Sequence, residues 1–90
     1  MRNFEWEGSF RKDLKRIGKR GWNRAKLDEI VAMLRANTPL PLHARAHKLS
    51  GEWTGYWECH VSSNWLFIYK ITDTAIRGAR TGTHADLFGE

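Results

Sequence analysis

A chain of 90 residues, 41% hydrophobic and carrying five Trp, four Phe and two Tyr, holds enough core-forming side chains for one compact domain spanning residues 1–90, and is no disordered tail. Fifteen Lys and Arg against ten Asp and Glu give a net charge of +5, which favours a polyanionic partner such as nucleic acid, or an acidic protein. A single cysteine, Cys59, excludes an internal disulfide and a cysteine-rich metal site, and the lack of a signal-peptide core or of any apolar run near roughly 18 residues points to the cytoplasm and away from membranes.

Residues 3–7 alternate apolar and charged, with Phe4 and Trp6 on one side, which predicts a half-buried strand. Gly8 breaks the run and Ser9 is placed to cap a helix. Phe10, Leu14 and Ile17 then fall at i, i+4 and i+7, a narrow apolar stripe among Arg11, Lys12, Lys15, Arg16, Lys19 and Arg20. Gly21 ends that helix. Asn23 caps a second one, carrying Leu27, Ile30, Val31 and Leu34, which Asn37-Thr38-Pro39 stops. The short link between the two predicts an antiparallel hairpin.

Residues 38–46, with Pro39 and Pro41, read as an extended loop. Residues 47–50 form a strand up to a turn at Gly51, with Trp53 in the strand or its turn. Residues 56–61, 65–71 and 75–83 form three more strands, separated by turns at Ser62-Ser63-Asn64 and Thr72-Asp73-Thr74. Residues 65–71 are apolar on both faces, as a central strand is. Short turns imply antiparallel neighbours. The expected fold is α+β: an N-terminal strand, a two-helix hairpin, then a mostly antiparallel strand meander with the helices packed on one sheet face.

Alternation in residues 56–61 turns Trp57, Cys59 and Val61 toward the core and Tyr56, Glu58 and His60 toward solvent or a ligand. In the last strand Ile76, Gly78, Arg80 and Gly82 are expected on one side, with His84 joining Arg80 if the chain stays extended; Gly78 and Gly82 leave room for another backbone. His43, His47, His60 and His84 come from separate segments that such a sheet gathers. Each alone also fits a surface or hydrogen-bonded structural role, and zinc is disfavoured because no paired His/Cys spacing occurs. Histidines beside an arginine on a basic surface suit phosphodiester chemistry: one imidazole accepts the 2′-OH proton, another protonates the 5′ leaving oxygen, and the guanidinium steadies the transition-state charge.

His47-Lys48-Leu49-Ser50-Gly51, Trp53, Gly55-Tyr56, Glu58-Cys59-His60-Val61, Trp65, Ile68-Tyr69-Lys70, Arg80-Thr81-Gly82-Thr83-His84 and Leu87-Phe88 together resemble the YafQ-type mRNA interferase toxins of the RelE/ParE superfamily. The resemblance covers nearly the whole chain. It implies an mRNA endonuclease that enters the ribosomal A site and cleaves by 2′-OH attack to a 2′,3′-cyclic phosphate, with no cofactor or metal. By matched position it implies His47, His60 and His84 as acid–base and phosphate-contacting groups, Arg80 as the transition-state cation, and Trp65 and Phe88 as walls of the RNA pocket. His43 matches no functional position. Asn64 stands where the family commonly has a catalytic Asp, and Trp57 where arginine is common. An amide accepts no proton as a general base, so Asn64 implies attenuated activity. The implied partners are mRNA, rRNA and a cognate antitoxin. Lys12, Arg16 and Lys19, at i, i+4 and i+7, are candidates to grip rRNA phosphates, against a merely solvated helix face. The alternatives are a ParE-like gyrase inhibitor, which generally lacks the histidine set, and an attenuated toxin acting mainly as its antitoxin's partner.

Overall fold

The computed structural model describes residues 1–89. Strand β1 (Asn3–Trp6) leads into helices α1 (Gly8–Lys19) and α2 (Arg24–Arg35), then β2 (His47–Lys48), β3 (Trp57–Ser62), β4 (Trp65–Ile71), β5 (Ala75–Gly82) and a short helix α3 (His84–Phe88). The sheet order is β1-β5-β4-β3-β2. Neighbours are antiparallel except β1, which lies parallel to β5 with Asn3 opposite Ala75. The expected fold class is the observed one, and β4, apolar on both faces, sits in the middle.

The helices cover one face. Phe10 and Ile17 of α1 and Leu27, Ile30, Val31 and Leu34 of α2 pack on Cys59, Trp65, Phe67, Tyr69 and Ile76. Each large apolar side chain buried there contributes about 1.5–3 kcal/mol. The opposite face carries a smaller cluster, Leu66, Ile68, Ala79 and Leu87, flanked by Leu49, Trp53, Tyr56 and Phe88. That second face is free of α1 and α2, but the flanking side chains leave Leu66, Ile68 and Ala79 no more than 2% exposed.

Chain punctuation mostly acts as the sequence suggests. Gly21 takes φ +75°, its amide reaching Gly18 O and that of Trp22 reaching Ile17 O, the paired bonds of a glycine-terminated helix. Asn23 accepts from the Ala25 amide at 3.0 Å. Ser9 does not cap: α1 begins two residues earlier, after Glu7, and the Ser9 hydroxyl donates to Ala79 O at 2.9 Å. The cause lies in the sheet. β1 stops opposite Gly78, so the edge of β5 beyond it has no strand partner, and α1 supplies one through Ser9 and through Asp13, which accepts the Thr81 amide at 3.0 Å.

Four expectations are corrected. Only His47–Lys48 of the 47–50 run are strand, because residues 51–53 wind into a 3₁₀ turn. The loop at 38–46 contains another, Leu42–Ala44. Residues 84–88 are helical, so the condition under which His84 would follow Arg80 along an extended chain is not met: the Thr83 hydroxyl accepts from the Asp86 amide at 3.0 Å while the Asp86 carboxylate accepts the Thr83 amide at 2.8 Å. In β5 the register slips, with Tyr69 opposite Gly78 but Ile68 opposite Arg80. Ala79 is the extra residue of this bulge, so Ile76 and Gly78 face the helices while Arg80 and Gly82 pair with Ile68 and Leu66 of the open face.

Candidate active site on the open sheet face

Alternation in β3 holds. Cys59 is buried on the helix side with Trp57 and Val61 packed nearby. Burial, with the Glu58 charge adding, pushes its thiol up to about 12, which makes it inert as a nucleophile. Tyr56, Glu58 and His60 belong to the open face. Across the strands His47 stands opposite Glu58, Glu58 opposite Ile68 and Ile68 opposite Arg80. The next row runs His60, Leu66, Gly82. This face therefore has the buried Leu66 and Ile68 at its centre, with His47 and His60 on one bank and Arg80, His84 and Phe88 on the other. At about 4.8 Å per strand spacing, the His60 and Gly82 backbones are roughly 10 Å apart.

The first bank is organised by two residues to which sequence reading gave no role. His47 Nδ1 lies 2.8 Å from Arg45 O, and His47 Nε2 lies 3.3 Å from Glu58 Oε1. Both ring nitrogens thus face acceptors, which fixes the ring from two sides. Arg45 Nη2 lies 3.4 Å from His60 Nε2. A guanidinium only donates, so there Nε2 accepts and the His60 proton sits on Nδ1. Arg45 takes φ +50°, strained for a residue with a side chain. Glu58 is 7% exposed, less than its polar position suggested. Its Oε2 and His60 Nδ1 are buried without a hydrogen-bond partner among the described residues. Each such atom costs about 1–3 kcal/mol, a burden that collects at functional sites.

The second bank is held by α1. Arg80 donates Nε to Asp13 Oδ2 at 2.7 Å and Nη2 to Asp13 Oδ1 at 3.3 Å and to Asp86 O at 3.3 Å. Asp86 accepts Arg20 at 2.6 and 2.9 Å. The Arg20 guanidinium first, helped by Thr83, holds the Asp86 carboxyl well below the usual carboxylate range. α3 is thus clamped to α1, and its first residue, His84, is exposed with its ring 4.8 Å from that of Phe88.

Three expected residues lie off the His47–Glu58–Ile68–Arg80 row. Trp65 is 4% exposed on the helix side, its ring 5.0 Å from Trp22 and its indole N–H donated to Thr81 Oγ1 at 2.8 Å. Register sends it there, because β3 and β4 slip between His60 and Ser62 and put Trp65 opposite Ser62. Asn64 is exposed in the β3–β4 turn, lining an open cavity of about 280 Å³ with Trp22, Lys26 and Ser63. Arg16 is 42% exposed but paired with Asp13 at 3.3 Å and Asp86 at 3.8 Å, whereas Lys12 and Lys19 are exposed. The room at Gly78 and Gly82 receives side chains, not another backbone: the Phe4 and Phe10 rings at the first, the Asp86 carboxylate at the second.

A mixed five-stranded sheet with α1 and α2 on one face and a short C-terminal α3 is the architecture of RelE-like toxins. Residues 2–89 match the family described as bacterial toxin of type II toxin-antitoxin system, YafQ, and the chain belongs to that family. It is 45% identical to the mRNA interferase toxin YafQ of Escherichia coli (strain K12), over 99% of this chain and 98% of the relative. The crystal structure of YafQ from E. coli strain BL21(DE3) superposes with a TM-score of 0.91 at 43% identity, covering 99% of this chain and all 100% of that one. YafQ in the E. coli DinJ-YafQ toxin-antitoxin complex superposes at 0.89, with 44% identity and 98% of each chain covered. Among the described residues no helix is long and apolar enough to cross a membrane.

Proposed function

We propose that this chain, as one toxin domain over residues 1–90, is an mRNA endonuclease that works in the cytoplasm at the ribosomal A site and is held inactive by a cognate antitoxin. The supporting observation is the sheet face away from α1 and α2, where His47, His60, Arg80 and His84 flank the buried Leu66 and Ile68 cluster. The reaction needs no covalent enzyme intermediate. A base takes the 2′-OH proton, the 2′ oxygen bonds to phosphorus, the P–O5′ bond breaks, and an acid protonates the 5′ oxygen, leaving a 2′,3′-cyclic phosphate. His60, whose Nε2 meets Arg45 only across a long 3.4 Å contact, suits the base. His84 at the exposed start of α3 suits the acid. His47, held by Arg45 O and Glu58, suits a positioning contact to the phosphate. Arg80 supplies transition-state charge stabilisation. Phe88 supplies a stacking edge for an unpaired base, and Trp65 acts from beneath by fixing Thr81.

Asn64 favours a second reading, an attenuated toxin that serves mainly as its antitoxin's partner. One experiment separates the two. Primer extension on translated mRNA is expected to show ribosome-dependent cuts with this chain, stronger cuts with Asn64→Asp, and a loss of roughly a hundredfold or more with His84→Ala. Antitoxin binding without cleavage, persisting in Asn64→Asp, overturns the nuclease reading.

A further inference from the structure

We propose that Asp13 is a positioning residue for the reaction: its buried carboxylate orients the Arg80 guanidinium toward the substrate phosphate. The inference rests on the reading of Arg80 as the transition-state cation. Asp13 is 2% exposed within a helix otherwise rich in surface cations. Its Oδ2 accepts Arg80 Nε at 2.7 Å and the Thr81 amide at 3.0 Å, while Oδ1 accepts Arg80 Nη2 and Arg16 Nη1, each at 3.3 Å. Side-on pairing through Nε and Nη2 is the two-point grip that stops a guanidinium turning about its last bond. The Thr81 amide ties the same carboxylate to the β5 backbone, so the guanidinium is referenced to the strand that carries it. Nη2 also reaches Asp86 O, which references it to the helix that carries His84.

What remains is directional. Three of the five Arg80 donors are occupied, and Nη1 has no hydrogen bond among the described residues. Arg80 is 22% exposed, so this end is the one a phosphate meets. A carboxylate beside such a cation weakens its pull on an anion. Holding orientation and attracting RNA therefore make opposite predictions: removing the charge alone tightens binding, and losing the orientation slows the chemical step.

The test compares Asp13→Asn, Arg80→Ala and the double variant in the Asn64→Asp chain, by single-turnover cleavage of mRNA on programmed ribosomes. Asp13→Asn is expected to lower the rate at saturating toxin by roughly a hundredfold, with the half-saturating toxin concentration unchanged or reduced. In the Arg80→Ala background it is expected to cost nothing further. An unchanged rate, or a loss that multiplies with that of Arg80→Ala, overturns the proposal. A second measurement needs neither cleavage nor a folded Asp13 variant. In nitrogen-15 spectra of the unaltered chain, the Arg80 Nε–H, assigned by its loss in Arg80→Lys, should exchange slowly with water and stand apart from the exposed arginines. Rapid exchange there overturns the proposal, whereas silence of the parent in cleavage with a protected Nε–H refutes only the nuclease reading.

Discussion

Replacing Gly82 by alanine tests whether β5 and α3 are one rigid unit. Gly82 takes φ +150°, and a Cβ there meets Asp86 Oδ2 at 2.7 Å and Asp86 Cβ at 3.0 Å. That carboxylate is no loose end, since Arg20 holds it at 2.6 and 2.9 Å and the Thr83 amide at 2.8 Å. The backbone strain costs roughly 1–3 kcal/mol. Forcing Asp86 aside removes the α3 cap, about 1 kcal/mol more. The stiffer unfolded chain returns about 0.4–1 kcal/mol. Gly82→Ala is thus expected to lose about 2–3 kcal/mol, a fall in Tm of roughly 10–20 °C for a chain this size. Gly78 is the control: its φ lies outside the glycine-favouring region and its Cβ meets only ring atoms of Phe4 and Phe10 at 3.2 Å, so alanine there should cost about 1–2 kcal/mol. Thermal unfolding followed by circular dichroism reads both. A Gly82→Ala chain within about 4 °C of the parent, or more stable than Gly78→Ala, refutes the reasoning.

The depressed Asp86 carboxyl makes a pH prediction. Because its folded titration lies below the unfolded value near 3.8, its stabilisation is complete above about pH 4 and disappears as pH falls through the folded value. Asp86→Asn should flatten the acid limb of stability against pH, and an unchanged limb would count against the Arg20 clamp. Trp65→Phe should lower stability by about 1–2 kcal/mol, by orphaning Thr81 Oγ1 as an acceptor, yet leave ribosome affinity alone; weakened affinity at full stability would return Trp65 to the RNA. Glu at Lys12, Lys15 and Lys19 should weaken ribosome binding and make its salt dependence shallower by about 0.7–0.9 for each phosphate no longer neutralised. Equal affinity across salt would leave that helix face merely solvated.

The fold was legible because its signals are local and redundant: the two apolar stripes, Gly21, Asn23, the proline stop and the doubly apolar run at 65–71 each name one structure. Two features that the structure adds were also written in the chain. Thr83 and Asp86 stand at capping-box spacing, and Asp13 falls four residues after Ser9 and three before Arg16, a polar stripe that a search for apolar faces passes over. The bulge at Ala79 was not legible, because a strand run does not say where its partner slips, and that slip moves Arg80 to the open face. Arg45 and Glu58 escaped for another reason. Their work is to hold His47 and His60, which is a property of distances between strands and not of residue type.

The parallel pairing of β1 with β5 has a consequence for how the molecule comes into being. The first strand synthesised finds its ladder only when Ala75 and its neighbours have emerged, nearly the full length of the polypeptide later. Until then α1 has no β5 edge to dock on, and the second bank has no wall. The two banks of the candidate site are therefore joined only after β5 has emerged, late in the chain's synthesis.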